Sequence, residues 1–391
     1  MGTKSVSSEA RLSATALRER LGNLREILFA NIVMAAEIPA PTGQEQRIAQ
    51  FLRDRFTESG LESISRDHVG NVACVLPGRS GERNLLVAAH LDKIWSESDD
   101  HTVSVGVGVM KGRGIADNSV GVAVLATLPL ILEELGIELE SNLILLGATR
   151  SFGRGDLRGI RFFLENSGRE IHSAVCLEGI DLGRLTYTCL GMARGEIRAE
   201  VTASGEVEEL TGASGVVGTL SHIVGEIQKV NDREMPESSI SIGSLESGTS
   251  HGVPPLSGIL RFEIRSSSAE RVSRIEEELQ EIVAQASRLE GIELHVEMIA
   301  RRRPGTLGEE HPLVKEAGRI LRELGREPHV EPSVSELSAL LDRRIPSLTL
   351  GLTRGDHRHS ENEVVQLEPV FDGLAQLIAM LQFMDCSEFS Q

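Results

Sequence analysis

Residues 84–95 read NLLVAAHLDKIW. Leu85 to Ala89 are apolar without a break, where a strand with one wet face would alternate. A short unbroken run of this kind fits a strand buried on both faces of its sheet. It ends on His90, at the carboxyl edge where ligands gather in open α/β sheets. Asn71–Leu76, Asn142–Ala148, Ala174–Leu177 and Leu348–Leu352 have the same texture. Helical spacing lies between them, in Ser119–Leu135 (bent at Pro129), Arg158–Glu165, Pro312–Leu324 and the stretch from Pro369. The first 30 residues read as an amphipathic helix, and IPAPTGQEQRIAQFLRDRFTESG as a proline-broken entry in which Thr42 caps the next one. Strands alternating with helices predict an α/β fold, a mostly parallel sheet with helices on both faces.

The middle third changes character. Glu196–Ala203, Ser239–Ser244, Ile259–Arg265 and Glu293–Ile299 alternate like half-exposed strands, with helices at Gly218–Val230 and Ala269–Leu289. Strand–helix–strand–strand–helix–strand is a ferredoxin-like α+β unit. The expected organisation is an α/β domain from 1–195 and 304–391, interrupted by this unit at 196–303.

Composition narrows the function. Forty per cent apolar and 25% charged residues are globular values, and 391 residues suit two domains. The net charge of −18 repels phosphate backbones and anionic lipid, and Arg301-Arg302-Arg303 is too short to reverse it, so no nucleic acid and no membrane partner is expected. The most apolar stretch, Val120–Leu132, is 13 residues against the ~20 a membrane span needs. The N-terminal residues contain no apolar signal core, and the four cysteines are scattered without CxxC pairs. Reduced thiols and a cytoplasmic location are the expectation.

Four stretches could carry metal chemistry. His90 is followed by Asp92, whose carboxylate could take the other ring N–H and orient the imidazole. Asp117 lies at the apex of the glycine-rich GRGIADNSVGVAVL, just before a helix; as a bland alternative it caps that helix. Glu178 ends another strand in CLEGIDLG, and His359 follows the strand Leu348–Leu352 in RGDHRHSENEVV. An imidazole and carboxylates at strand ends are a suitable ligand set for zinc or a similar divalent ion.

The order IPAPTGQEQ, DHVGNVACVLPG, AAHLDKIW, GRGIADNSVGVAVL, RGDLRG, LEG, FEIRS and HSENE, across residues 35–385, resembles the co-catalytic zinc peptidases and amidohydrolases. That family includes carboxypeptidase G, peptidase T, aminoacylase and succinyl-diaminopimelate desuccinylase. The resemblance implies a catalytic α/β domain with an inserted lid that dimerises. His90 would ligate one metal and Asp92 would orient it; Asp117 would bridge two metals, Glu178 would complete the first site and His359 would serve the second. Arg265 and Arg303 match family arginines, Arg303 as a grip for a substrate carboxylate, and His251 stands beside the slot of a family asparagine.

The chain also departs from the pattern. The family places two adjacent glutamates, the general base and a second-metal ligand, after the strand matching Asn142–Ala148. Here the stretch is LLGATRSFGRGDLRG, so the pair falls on Arg150-Ser151 or, in the favoured register, Ser151-Phe152, and no acid lies between Glu140 and Asp156. A lid histidine of the family is missing from TASGEVEEL. The expectation is at most one tightly held ion, at His90, Asp117 and Glu178. Asp156, His357 or Glu361 could serve as a displaced base, or Arg150 could replace a metal's charge against Asp117 and Glu178. Two functions follow. One is a metallopeptidase-like hydrolase of a small peptide or N-acyl amino acid. The other is a catalytically inactive relative binding a peptide, amino acid or protein in the same cleft. In either case a homodimer through the lid is expected.

Overall fold

The computed structural model describes residues 12–202, 215–287 and 291–386. The stretch TASGEVEEL therefore lies, from Ala203 on, outside the described residues. Two compact units divide the chain: residues 1–188 with 306–391, and Cys189–Gly305. The boundary expected after residue 195 falls inside the strand Gly191–Val201, whose long pairing with its neighbours draws the second unit back to Cys189.

The first unit is built on an eight-stranded sheet. Its spatial order is Ile64–Arg66, Val72–Leu76, Asn142–Ala148, Asn84–His90, Ser173–Glu178, Ser347–Gly351, Arg184–Thr186 and His329–Val330. The four central strands, from Asn142–Ala148 to Ser347–Gly351, are mutually parallel. Their unbroken apolar character has the predicted cause. Leu85, Val87 and Ala89 pack on one face with Leu145, Val175 and Leu350, while Leu86 and Ala88 pack on the other with Ile144, Leu146 and Ala174. Helices Arg25–Glu37, Gln46–Glu58, Val120–Leu135, Pro312–Glu323 and Val370–Cys386 contribute to the first core; Arg158–Asn166 and Leu337–Asp342 contribute to the second. Register decides what stands at the carboxyl edge, pairing His90 with Ala148 and Glu178 with Gly351.

Two N-terminal expectations change. The opening helix is broken into Ala14–Arg20, a tight turn at Leu21–Leu24, and Arg25–Glu37. Thr42 caps no helix, because Gln46–Glu58 begins after Glu45. The apolar helical segment is also longer than 13 residues. Ile115–Leu135 is long and apolar enough to cross a membrane, and nearly all of it is buried inside the fold. None of the four cysteines forms a disulfide.

The second unit is an antiparallel sheet in the order Ser238–Ser247, Ser257–Ser266, Gly191–Val201 and Ile292–Arg302. The helices Val216–Glu234 and Ala269–Ala286 bury Leu220, Ile223, Ile275 and Leu279 against Ile197, Leu260, Phe262 and Ile264. Strand order and connectivity are those of the ferredoxin-like unit.

Candidate metal centre

His90, Asp117 and Glu178 converge. Each offers a ligand atom, and the three atoms lie within 4.8 Å of one another. His90 and Glu178 arrive as the last residues of two adjacent parallel strands. Asp117 arrives on the turn before Val120–Leu135, where Asp117 and Asn118 leave the helical conformation. Asn118 Nδ2 donates to Leu177 O (2.8 Å), which fastens the turn to the Glu178 strand. A close approach completes the fit: a Cβ on Gly179 would stand 2.3 Å from Ala116 O. Helix capping is therefore not the task of Asp117; its side chain faces the site.

The His90 tautomer is fixed by the main chain. Nδ1–H donates to Asp92 O (3.1 Å), whereas the Asp92 carboxylate stays 3.7 Å away, beyond a hydrogen bond. Nε2 then faces the site. Nε2 comes within 2.8 Å of Asp117 Oδ1 without hydrogen-bond alignment, leaving that buried oxygen without a hydrogen-bond partner. Two ligands aimed at one ion take up this arrangement, so the donor set fits a divalent cation of the zinc type. Burial alone would lower the basicity of His90, but contact with the Asp117 and Asp92 carboxylates prevails and raises it well above the ordinary value. Burial, then the Asp117 charge, raises Glu178 to about 7. Burial opposes ionisation of Asp117, but His359 and His90 outweigh it and hold the carboxyl well below its usual range.

Asp92 also has a role that its spacing does not suggest. Oδ2 accepts from Thr42 Oγ1 (2.8 Å), Ser151 N (2.9 Å) and Phe152 N (2.9 Å). It therefore holds in place the stretch where the paired glutamates are absent. Arg150 N donates to Glu45 Oε1 (2.9 Å), and the Arg150 guanidinium pairs with neither Asp117 nor Glu178. The cation acting on those two carboxylates is Arg358, anchored to Asp181 Oδ2 at 2.8 Å.

His359 meets Asp117 directly. Its Nε2–H donates to Asp117 Oδ2 (2.6 Å), the carboxylate oxygen that does not face His90. Phe152 packs edge-on against both imidazoles, 4.9 Å from His90 and 6.2 Å from His359 between centroids. Among the proposed displaced bases, Asp156 pairs with Arg161 (2.6 Å), Glu361 with Arg113 (3.0 Å), and His357 is exposed. Arg265, Arg303 and His251 belong to the second unit and are exposed, with Arg265 Nε donating to Glu263 (2.5 Å).

Two acids escape a reading by motif. Glu363 accepts from Ala116 N (2.9 Å) and His359 N (3.0 Å), tying the Asp117 turn to the His359 loop. It belongs to HSENE, so the motif contained it, but only the fold supplies its partners. Glu336, 4% exposed, accepts a hydrogen bond from Ser151 Oγ. Its surroundings, EPSVSELSALL, read as an ordinary polar loop entering a helix.

No curated protein matches the chain. Solved structures do. A tripeptidase from Staphylococcus aureus superposes with a TM-score of 0.72 at 18% identity, covering 93% of this chain and 99% of that one. Human carnosine dipeptidase 1 gives 0.75 at 13%, covering 95% and 99%. A dinuclear metal-binding peptidase from Bacillus subtilis gives 0.62 at 14%, covering 94% and 98%. At these identities the likeness is one of fold. The sequence profile of peptidase family M20/M25/M40 matches residues 86–382, a stretch that takes in all four of the residues gathered here, and the chain belongs to that family.

Proposed function

We propose that the chain is a metal-dependent hydrolase of peptide or N-acyl amide bonds in small substrates, working with one tightly held divalent ion. The observation that carries this reading is the convergence of His90, Asp117 and Glu178 within 4.8 Å, with a buried Asp117 oxygen left unbonded. A divalent ion held there supplies Lewis acidity to a carbonyl oxygen and lowers the pKa of water. The chain's own residues do the rest. Asp92 O holds Nδ1–H of His90 and so turns Nε2 to the site, Arg358 offsets the Asp117 and Glu178 charges, and Glu363 holds the Asp117 turn against the His359 loop. A single ion is favoured by the direct His359–Asp117 bond and by the Phe152 ring beside both imidazoles. Small peptides are the first substrates to try, since relatives of the same fold include a tripeptidase and a dipeptidase.

A second reading, an inactive relative that binds its ligand in the same cleft, is favoured by the absence of any acid between Glu140 and Asp156. Protein loaded with zinc and assayed against dipeptides, tripeptides and N-acyl amino acids separates the two. Turnover that disappears in Asp117→Ala supports the hydrolase. Full metal loading with no turnover across the panels supports the binder.

A further inference from the structure

The stretch Thr149–Phe152 brings no acid of its own to the site, yet one arrives there from elsewhere in the chain. Glu336 lies 185 positions beyond Ser151, and its Oε1 accepts the Ser151 hydroxyl in a buried hydrogen bond. Ser151 is fixed by its own amide on Asp92 Oδ2, and the next residue, Phe152, touches the His90 ring. Behind Glu336, the turn is closed by Ser335 N donating to Ser333 Oγ (2.9 Å), and Leu337, Ala339 and Leu340 are buried in the following helix.

Other carboxylates of the neighbourhood are held by main-chain amides. Asp92 Oδ2 holds three donors, Glu45 holds Gly43 N and Arg150 N, and Glu363 holds Ala116 N and His359 N. Asp117 and Glu178 form the ligand cluster with His90. Glu336 differs. Among the described residues the one partner of its carboxylate is a hydroxyl, which can rotate away where an amide cannot, and its Oε2, like Asp92 Oδ1, carries no hydrogen bond from them. Its charge also reaches His90 and Glu178.

We propose that Glu336 is the general base of the hydrolysis, a carboxylate displaced in the sequence but delivered by Ser151 to the place where a base is needed. The proposal rests on the hydrolase reading. The Glu336 carboxylate takes one proton from water as the water oxygen forms a bond to the amide carbon and the C=O π pair moves to oxygen. When that pair returns, the C–N bond breaks with its electrons on nitrogen, and nitrogen receives the proton held by Glu336. One water is consumed, and a carboxylic acid and an amine leave. Ser151 acts as a positioning residue, holding Oε1 so that Oε2 faces the reaction.

The test uses the full-length, zinc-loaded protein and its Glu336→Gln variant, which keeps the shape and the Ser151 contact. Loss of a general base lowers kcat by about 10²–10⁴-fold. KM should stay within about threefold, as expected when an interaction made only in the transition state is lost. Zinc stoichiometry and affinity, measured by titration calorimetry, should match the unmodified protein. Formate should restore part of the turnover of Glu336→Ala, and Glu336→Gln combined with Ser151→Glu should recover activity from the original base position; a merely structural role predicts neither. Activity retained in Glu336→Gln would overturn the proposal and leave the hydrolase reading intact. Loss of zinc from that variant would make Glu336 a ligand instead. An unmodified, fully loaded protein that turns nothing over would end both.

Discussion

The Phe152 ring meets the His90 imidazole edge-on, at 4.9 Å between centroids and 84° between planes. An apolar ring stands where one register of the family pattern puts a second-ion ligand. The unmodified protein should therefore retain at most one ion per chain through gel filtration, as read by elemental analysis. Ser151→Glu with Phe152→Glu should raise uptake toward two, and Arg150→Glu with Ser151→Glu tests the other register. Two tight ions in the unmodified chain would contradict this account.

Ion binding should release protons. Glu178 is raised from 4.5 to about 7 by burial and the Asp117 charge, and the carboxylates beside His90 raise it above 6.5 despite burial. Both groups bind protons more tightly in the ion-free fold than in the unfolded chain. The stability they add is complete below pH 4.5 for Glu178 and below 6.5 for His90, and is lost as pH rises through the folded values, about 7 for Glu178. Asp117 runs the other way; its contribution is complete above 3.8 and disappears only in strong acid. The melting temperature of the metal-free protein should thus fall from pH 5 to 8. Zinc affinity should rise over the same interval, about tenfold or more from pH 6 to 8. Calorimetry in two buffers of different ionisation enthalpy measures the protons released; none would count against the assignment.

Gly179→Ala should damage both stability and the site. The added methyl would stand 2.3 Å from Ala116 O, a backbone atom of the Asp117 turn. Overpacking of this kind costs about 1–3 kcal/mol, and the displaced turn should also weaken zinc binding. Thermal melts with and without zinc test the two effects separately; a variant with an unchanged melting curve would remove the argument for close approach.

Glu363→Gln leaves an acceptor for one of two amides and removes its charge. The Asp117 turn and the His359 loop then lose part of their shared anchor. Outer partners of metal ligands are worth about 10–100-fold in metal affinity, and a loss of that size is expected by competition with a chelator. An affinity equal to that of the unmodified protein would mean that the small sheet pairing Val364 with Lys111 suffices.

The second unit should hold two copies together. Its outer strands, Ser238–Ser247 and Ile292–Arg302, each have one side unpaired within the sheet, and open edges are usually covered. Light scattering at micromolar concentration should give twice the chain mass; a monomer there would refute the pairing.

Most of the scaffold was legible because unbroken apolar runs such as Leu85–Ala89 have few other uses than a doubly covered strand. Strand ends then located His90 and Glu178, and glycines located the Asp117 turn. What remained hidden is what side chains do at a distance. HxD spacing suggested that the Asp92 carboxylate takes the ring N–H, but in the fold the Asp92 carbonyl takes it, and the carboxylate, 3.7 Å from the ring, also accepts from Thr42, Ser151 and Phe152. Arg150, adjacent to the gap in the sequence, was the natural cation for the site, yet Arg358 supplies the charge there. Glu336 has no local signature at all; its relation to Ser151 exists only in three dimensions.

The grip of Asp92 on the Ser151 and Phe152 amides bears on how this centre can change. Hydrogen bonds to a charged acceptor are worth about 1.5–3 kcal/mol each, and these engage the main chain, which every residue type other than proline provides. The peptide path is thus moulded from outside, independently of what hangs from it. The amides of positions 151 and 152 are gripped whatever side chain those positions carry. A substitution at either position should therefore alter the chemistry at this edge of the sheet before it alters the path of the chain.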